Sequence, residues 1–206
     1  GLSEAFKDAV ERAHRQREED YVERPSTDLV RETLADFGYD DVEPEVIRSA
    51  VESMYRVSQR HWKPIEGARD TVEFLVNRGY RVGMISNASD VDDVHYLVDK
   101  VDVRDYLDPI VVSAGVGMRK PAPEIFKPVL EAWDLPAGAV VMVGDTLNAD
   151  ILGAQRIGMH QIWVRSAEDR EDNRSWREKI EPEAAVGHVS EIPVKIADLS
   201  RKTQGV

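Results

Sequence analysis

Residues 141–154 read VMVGDTLNADILGA. A short apolar run stops at Gly144, and two aspartates, Asp145 and Asp150, then stand five positions apart as a helical pattern begins. An apolar run of this length, closed by glycine and followed by helical spacing, predicts a strand, a tight turn and a helix. Packing needs neither carboxylate. Each alone fits a helix cap or a first-turn residue favoured by the helix dipole, so the question is whether together they hold something.

Working outward, the same alternation repeats from residue 67 onward. Helices are expected over 71–80, 90–101, 122–135 and 148–158, and strands over 81–86 (RVGMIS), 109–114 (PIVVSA), 139–144 (AVVMVG) and 161–166 (QIWVRS). Apolar strands of this length alternating with helices predict an α/β fold, a Rossmann-like, mostly parallel sheet with helices on both faces. The segment 167–183 is too polar for a core and reads as an exposed loop, and a last short helix is expected near SEIPVKIADL. Upstream of Lys63-Pro64 the character differs. Helical spacing runs through 3–20, through DLVRETLADF after the hydroxyls of Ser26 and Thr27, and from Val46 to Ser58. The reading is therefore a small all-helical cap over 1–62 and a core over 63–206, with Ser26-Thr27 as an N-cap and Gly38 as a helix stop.

The chain of 206 residues is long enough to bury roughly 70% of its unfolded surface. No apolar run approaches the ~20 residues of a membrane span, and the charged, amphipathic start lacks a signal-peptide pattern, so a cytoplasmic protein without a membrane partner is expected. With no cysteine, disulfides and thiolate chemistry are excluded. A formal charge of −12 argues against nucleic acid as partner. It also means that an anionic ligand needs a local cation. The histidines at 14, 61, 95, 160 and 188 share no ligand spacing, and Trp62, Trp133 and Trp163 read as packing residues, Trp62 with a second possibility of facing substrate.

In an open parallel sheet, functional groups gather where strands end. Ser86-Asn87 follow one strand, Gly144-Asp145 another, and Lys120 precedes a Pro-rich helix start. Singly, these are turn residues, a solvated lysine and a cap. Converging, they make an anion-and-metal pocket. Two hard oxygen donors on one loop suit Mg2+, which takes few carboxylates plus waters and phosphate oxygens. A serine hydroxyl and a lysine suit a phosphoryl group.

These residues resemble the haloacid dehalogenase superfamily, in its branch of capped magnesium-dependent phosphatases. The resemblance rests on ISNAS around Ser86, RKPAPEIF around Lys120 and VGDTLNAD around Asp145 and Asp150, with helices in the cap position. It implies that Ser86 hydrogen-bonds the phosphoryl group with Asn87 beside it, that Lys120 orients nucleophile and substrate, and that Asp145 and Asp150 ligate Mg2+. It also implies a small phosphorylated metabolite as substrate, and a monomer or homodimer. One departure counts. The family's first motif, an apolar strand ending in Asp-x-Asp that supplies the nucleophile, is not found in these residues; PVKIADLS holds only Asp198, and DVDDV opens a helix. The expectation is a phosphatase framework whose present residues turn over little, through an incomplete start or a real loss. A non-catalytic binding relative, a phosphomutase and a haloacid dehalogenase are the alternatives; Gly144-Asp145 argues against the last.

Overall fold

The computed structural model describes residues 1–165 and 171–204. Three helices open the chain: α1 (Leu2–Asp20), α2 (Ser26–Ala35) and α3 (Pro44–Gln59). They pack in sequence order through Ala9 and Ala13, Leu29 and Thr33, and Ile47 and Val51, residues spaced four apart so that each pair shares one helix face. Ser26 does not cap α2. Pro25 takes the N-cap position, and the Ser26 hydroxyl shares a hydrogen bond of 2.8 Å with the Tyr55 hydroxyl on α3, a tertiary partner that no local pattern announces.

The remainder alternates as expected, in shorter pieces. In order come α4 (Ala68–Asn77), β1 (Met84–Ser86), α5 (Val91–Lys100), β2 (Ile110–Val112), α6 (Ser113–Val116) and α7 (Lys127–Trp133). They are followed by β3 (Val141–Gly144), α8 (Leu152–Ile157), β4 (His160–Val164), α9 (Glu171–Arg174), β5 (Ala184–Val186) and α10 (Ile192–Gln204). The helix expected over 122–135 splits into a 3-10 turn, Pro123–Phe126, and α7, because Pro123 and Pro128 each lack an amide hydrogen for the helical ladder. The strand β5, three small residues behind a polar stretch, went unread in the sequence.

All strand pairs are parallel, but they form two ladders, β1-β2 and β3-β4-β5. The Met84 amide donates to Pro109 O toward β2, which turns the Ile85 amide and carbonyl to the opposite edge. Likewise the His160 amide donates to Val140 O, so Val141 and Val143 present their backbone groups away from β4. The side chains nonetheless share cores. Val82, Val141 and Val143 pack with Leu75 and with Ile192, Ile196 and Leu199 of α10; Ile85 and Met142 pack with Ile125, Phe126 and Val129 beneath α7 and α8. Helices therefore cover both faces. Ile125 and Phe126 are wholly buried, each stabilising the fold by about 1.5–3 kcal/mol.

The polar segment 167–183 is not simply an exposed loop. Its residues 167–170 lie outside the described ones, but Asn173 and Ile180 are buried, and Ile180 and Trp176 pack with Leu147, Ile151 and Trp163. Trp62 is 60% exposed rather than packed. Its carbonyl accepts from Lys100 on α5 at 3.0 Å.

Candidate active site

Lys120 organises the site. Only 9% exposed, its Nζ donates to Ile85 O at 2.5 Å on the open edge of β1 and pairs with Asp150 Oδ1 at 2.8 Å. The ends of the two ladders are thus tied by one ammonium group. Asn87 fixes the lysine's backbone from the other side: its Nδ2 donates to Lys120 O at 3.0 Å and its Oδ1 accepts from Lys120 N at 2.8 Å. The Asn87 amide, expected beside the substrate, makes this pair of bonds. Ser86 ends β1, in register with Val112, and its hydroxyl has no hydrogen-bond partner among the described residues.

The opening stretch supplies the other half. Val141–Gly144 form β3, and the helix expected over 148–158 starts as a π-helical turn, Leu147–Ile151, before α8. That wide turn swings Asp150 back over the strand end. Its Oδ2 accepts from Thr146 N at 2.9 Å, and a Cβ at position 144 would meet the Asp150 carboxyl carbon at 2.3 Å. Only glycine admits so close an approach. Asp145 accepts from the Thr146 hydroxyl at 3.1 Å. Its main-chain carbonyl takes two donors, Trp163 Nε1 at 3.1 Å and Asn173 Nδ2 at 2.8 Å, while Asn173 Oδ1 accepts from Leu147 N at 2.8 Å.

The structure thus joins Asn87, Lys120 and Asp150 directly, and ties Asp145 to them through Thr146. Sequence reasoning missed Asn173, Thr146 and Trp163 as the clamps of the Asp145 loop. An asparagine inside a polar run carries no signal by itself, whereas Trp163, at a strand position beside a loop of aspartates, carried a weak one.

A cation fits this loop by the chemistry of its donors. Among the described residues no group of three or more Asp, Glu or His side chains gathers as a self-sufficient cage; Mg2+ takes few carboxylates and completes its shell with water and phosphate oxygens. Asn148, between the two aspartates, has a buried Oδ1 with no hydrogen-bond partner, an oxygen that a cation or its hydration shell would satisfy. Asp150 already serves Lys120 and Thr146.

A second buried ion pair lies next to the first. Glu23, 4% exposed, accepts from Arg119 at 3.0 Å and Ser113 at 2.7 Å on one oxygen and from Ser89 at 2.8 Å on the other. The same short segment is stitched to the core by backbone: Glu23 N to Gly117 O, Arg119 N to Tyr21 O and Ser26 N to Ser89 O, all within 2.9 Å. Burial holds the Arg119 guanidinium below its usual pKa, and Glu23 works against that.

Comparison with known proteins places this geometry. The family model described as haloacid dehalogenase-like hydrolase matches residues 1–164. The glyceraldehyde 3-phosphate phosphatase of Pyrococcus abyssi is 30% identical over 122 residues, 59% of this chain and 51% of that protein. The ribulose-1,5-bisphosphate 5-phosphatase of Halopiger xanaduensis is 30% identical over 111 residues, 54% of this chain and 46% of that one. The chain spans about half the length of these two relatives. Among solved structures, the HAD-family hydrolase YfnB of Bacillus subtilis, described as bound to magnesium, superposes with a TM-score of 0.62 at 20% identity, covering 95% of this chain and 82% of its own. With the family model matched over most of its length, the chain belongs to the haloacid dehalogenase-like hydrolases.

Proposed function

We propose that this chain carries the phosphoryl- and magnesium-binding machinery of a phosphatase that acts on a small phosphorylated metabolite through an aspartyl-phosphate, with residues 1–62 as a helical cap over a core of 63–206 and the cytoplasm as its location. The observation that supports it most is the buried Lys120 ammonium, held between the Ile85 carbonyl and Asp150 where two parallel ladders end. In this reading the Ser86 hydroxyl donates to a phosphoryl oxygen, and Lys120 offsets the remaining negative charge and holds the nucleophile in line. Asp145 ligates Mg2+, with Asp150 reaching it through water while orienting Lys120. The metal, when bound, neutralises charge on the transferring group. Asn87 positions Lys120. The names of the relatives narrow the substrate class to phosphate esters of short sugars.

The covalent step needs a carboxylate whose oxygen attacks phosphorus as the ester P–O bond breaks, the leaving oxygen taking a proton; water then cleaves the acyl phosphate. No apolar run ending in Asp-x-Asp occurs in the 206 residues to supply it. Phosphate monoester hydrolysis needs accelerations of up to ~10²¹-fold, and a single preorganised electrostatic contact supplies on the order of 10²–10³. These residues alone are therefore expected to bind and to turn over little. The outward-facing backbone of Ile85, Val141 and Val143 is where a further strand carrying the nucleophile would pair.

A second reading is a non-catalytic relative that binds a phosphorylated ligand. Both readings require the same anion site. Calorimetric titration with inorganic phosphate and Mg2+ is expected to show metal-dependent binding that Lys120→Ala and Asp145→Ala abolish, with p-nitrophenyl phosphate turnover near background and folding checked by circular dichroism. Phosphate binding that survives both substitutions refutes the site.

A further inference from the structure

Two cavities flank the segment that joins α1 to α2. The larger, about 300 Å³, is lined by Arg24 and Arg31 among others, and both arginines are already neutralised, Arg24 by Glu32 and Arg31 by Asp28. The second, about 230 Å³, lies between α1, α2 and α3 beside Ser89. Its wall includes His14 and Arg17 of α1, Tyr55 of α3, Ser26, Glu23 and Ser89. This volume is below the ~300–1,000 Å³ of pockets that take drug-sized ligands and suits a group of a few atoms.

Its charge balance is uneven. Glu23 is fully engaged by Arg119, Ser113 and Ser89. Arg17 forms no ion pair within salt-bridge distance among the described residues, and the longer-range fields of Glu23 and Glu18 favour its charge. Burial, and the repulsion of Arg119, hold its guanidinium below the usual pKa, and the same burial with both arginines lowers His14. A partly desolvated cation facing a cavity beside a second cation is a poor arrangement for packing and a good one for an incoming anion.

The cavity also lies within reach of the phosphoryl site. Ser89 in its wall follows Ser86 by three residues, at most roughly 10 Å of extended chain, and Glu23, also in its wall, pairs with Arg119, whose Cα is one step of ~3.8 Å from that of Lys120. A short carbon chain with its phosphate at Ser86 and Lys120 covers that span.

Building on the phosphatase reading, we propose that this cavity receives the non-reacting end of the substrate and that Arg17 selects for an anionic end, a carboxylate or a second phosphate, over a neutral aldehyde or hydroxyl. The Tyr55 and Ser26 hydroxyls, which share one hydrogen bond, retain capacity to hold that group's oxygens. Of the two relatives' printed substrates, this favours the bisphosphate over the neutral-ended triose phosphate.

The test is calorimetric titration of the full chain with Mg2+ and three probes: 3-phosphoglycerate, ribulose 1,5-bisphosphate and glycerol 3-phosphate. One or both anionic-ended probes are expected to bind at least about 10-fold more tightly than glycerol 3-phosphate, the worth of one charge-assisted hydrogen bond, and which of them gains identifies the anion. Arg17→Met, which keeps the stem and removes the charge, should erase that preference without weakening glycerol 3-phosphate; Arg17→Lys should restore part of it. Lys120→Ala should weaken all three alike. Equal binding of the three probes, or an Arg17→Met that weakens all of them equally, overturns the assignment of Arg17 while leaving the phosphoryl site intact. If none of the three binds and Lys120→Ala changes nothing, the phosphoryl site falls and this inference falls with it.

Discussion

Arg119 and Lys120 are consecutive, and each makes a buried ion pair, but in opposite directions and to different ends. Arg119 turns to Glu23, whose carboxylate also takes Ser89 and Ser113 and is 1% exposed in its side chain. Lys120 turns to Asp150, 7% exposed, and shares its ammonium with the Ile85 carbonyl. In the first pair the carboxylate is saturated, both of its oxygens being used, and its work is to anchor the α1–α2 connection beside the strand ends. The second has donors left over, since an ammonium carries three hydrogens and these two partners take two of them. A buried cation with a spare donor, next to the unpartnered Ser86 hydroxyl, is the arrangement an anionic substrate needs. The same pairing chemistry thus fastens in one place and leaves a donor open in the other.

The sharpest way to break this comparison is to remove each anion. Glu23→Ala strands Arg119 in a site where burial already strains its charge, and an unpaired buried ion typically costs about 3–5 kcal/mol. Asp150→Ala strands Lys120 too, but the Ile85 carbonyl remains as an acceptor, so its loss should fall at or below the lower end of that range. Urea denaturation of both variants measures the difference. A larger loss for Asp150→Ala would make its pair the structural one and reverse the assignment.

The contrast also separates what one sequence can disclose from what it cannot. Lys120, Asp145 and Asp150 were legible because each follows an apolar run or stands within a few residues of a helix start, positions that local patterning identifies. The strands β1 to β4 were legible for the same reason. Glu23 was not, because its partners Ser89, Ser113 and Arg119 lie 66 to 96 residues away and an isolated glutamate in a polar connection reads as solvated. The bonds between Asn87 and Lys120 were not legible either, because 33 residues separate the two. The segment 167–183 misled by composition: a polar stretch buries residues when a few of them, here Asn173 and Ile180, reach a neighbouring loop. The division of one expected sheet into two ladders follows from backbone pairing, which side-chain patterning does not encode.

A smaller effect sharpens the view of the Asp145 loop as a clamped one. Asn173→Ala removes two hydrogen bonds of 2.8 Å, one to Asp145 O and one from Leu147 N, and leaves buried backbone groups short of partners at a cost of about 1–3 kcal/mol. Because the loss falls on the loop proposed to bind the metal, Mg2+ affinity should drop together with stability. A variant that loses stability while binding Mg2+ as tightly as the parent would show that Trp163 alone holds the Asp145 carbonyl.

The smallest expected effect probes the cavity between the two pairs. Burial, with Arg17 and Arg119 nearby, lowers the His14 pKa below 6.5 in the folded chain, so the folded state resists a proton that the unfolded chain accepts. Stability from this source is fully present above the unfolded pKa of 6.5 and is lost as pH falls through the depressed folded value. His14→Gln, which cannot take up the proton, should therefore soften the decline in stability between pH 7 and pH 5 and leave the slope above pH 7 unchanged. Glu23 and Glu18 pull the His14 pKa upward while the two arginines push it down, so the decline should steepen in Glu18→Gln, where one of the opposing charges is gone. If the parent and His14→Gln keep the same slope across that window, the cavity is too well solvated for its cations to feel one another, and the electrostatic case for Arg17 as an anion receptor weakens accordingly.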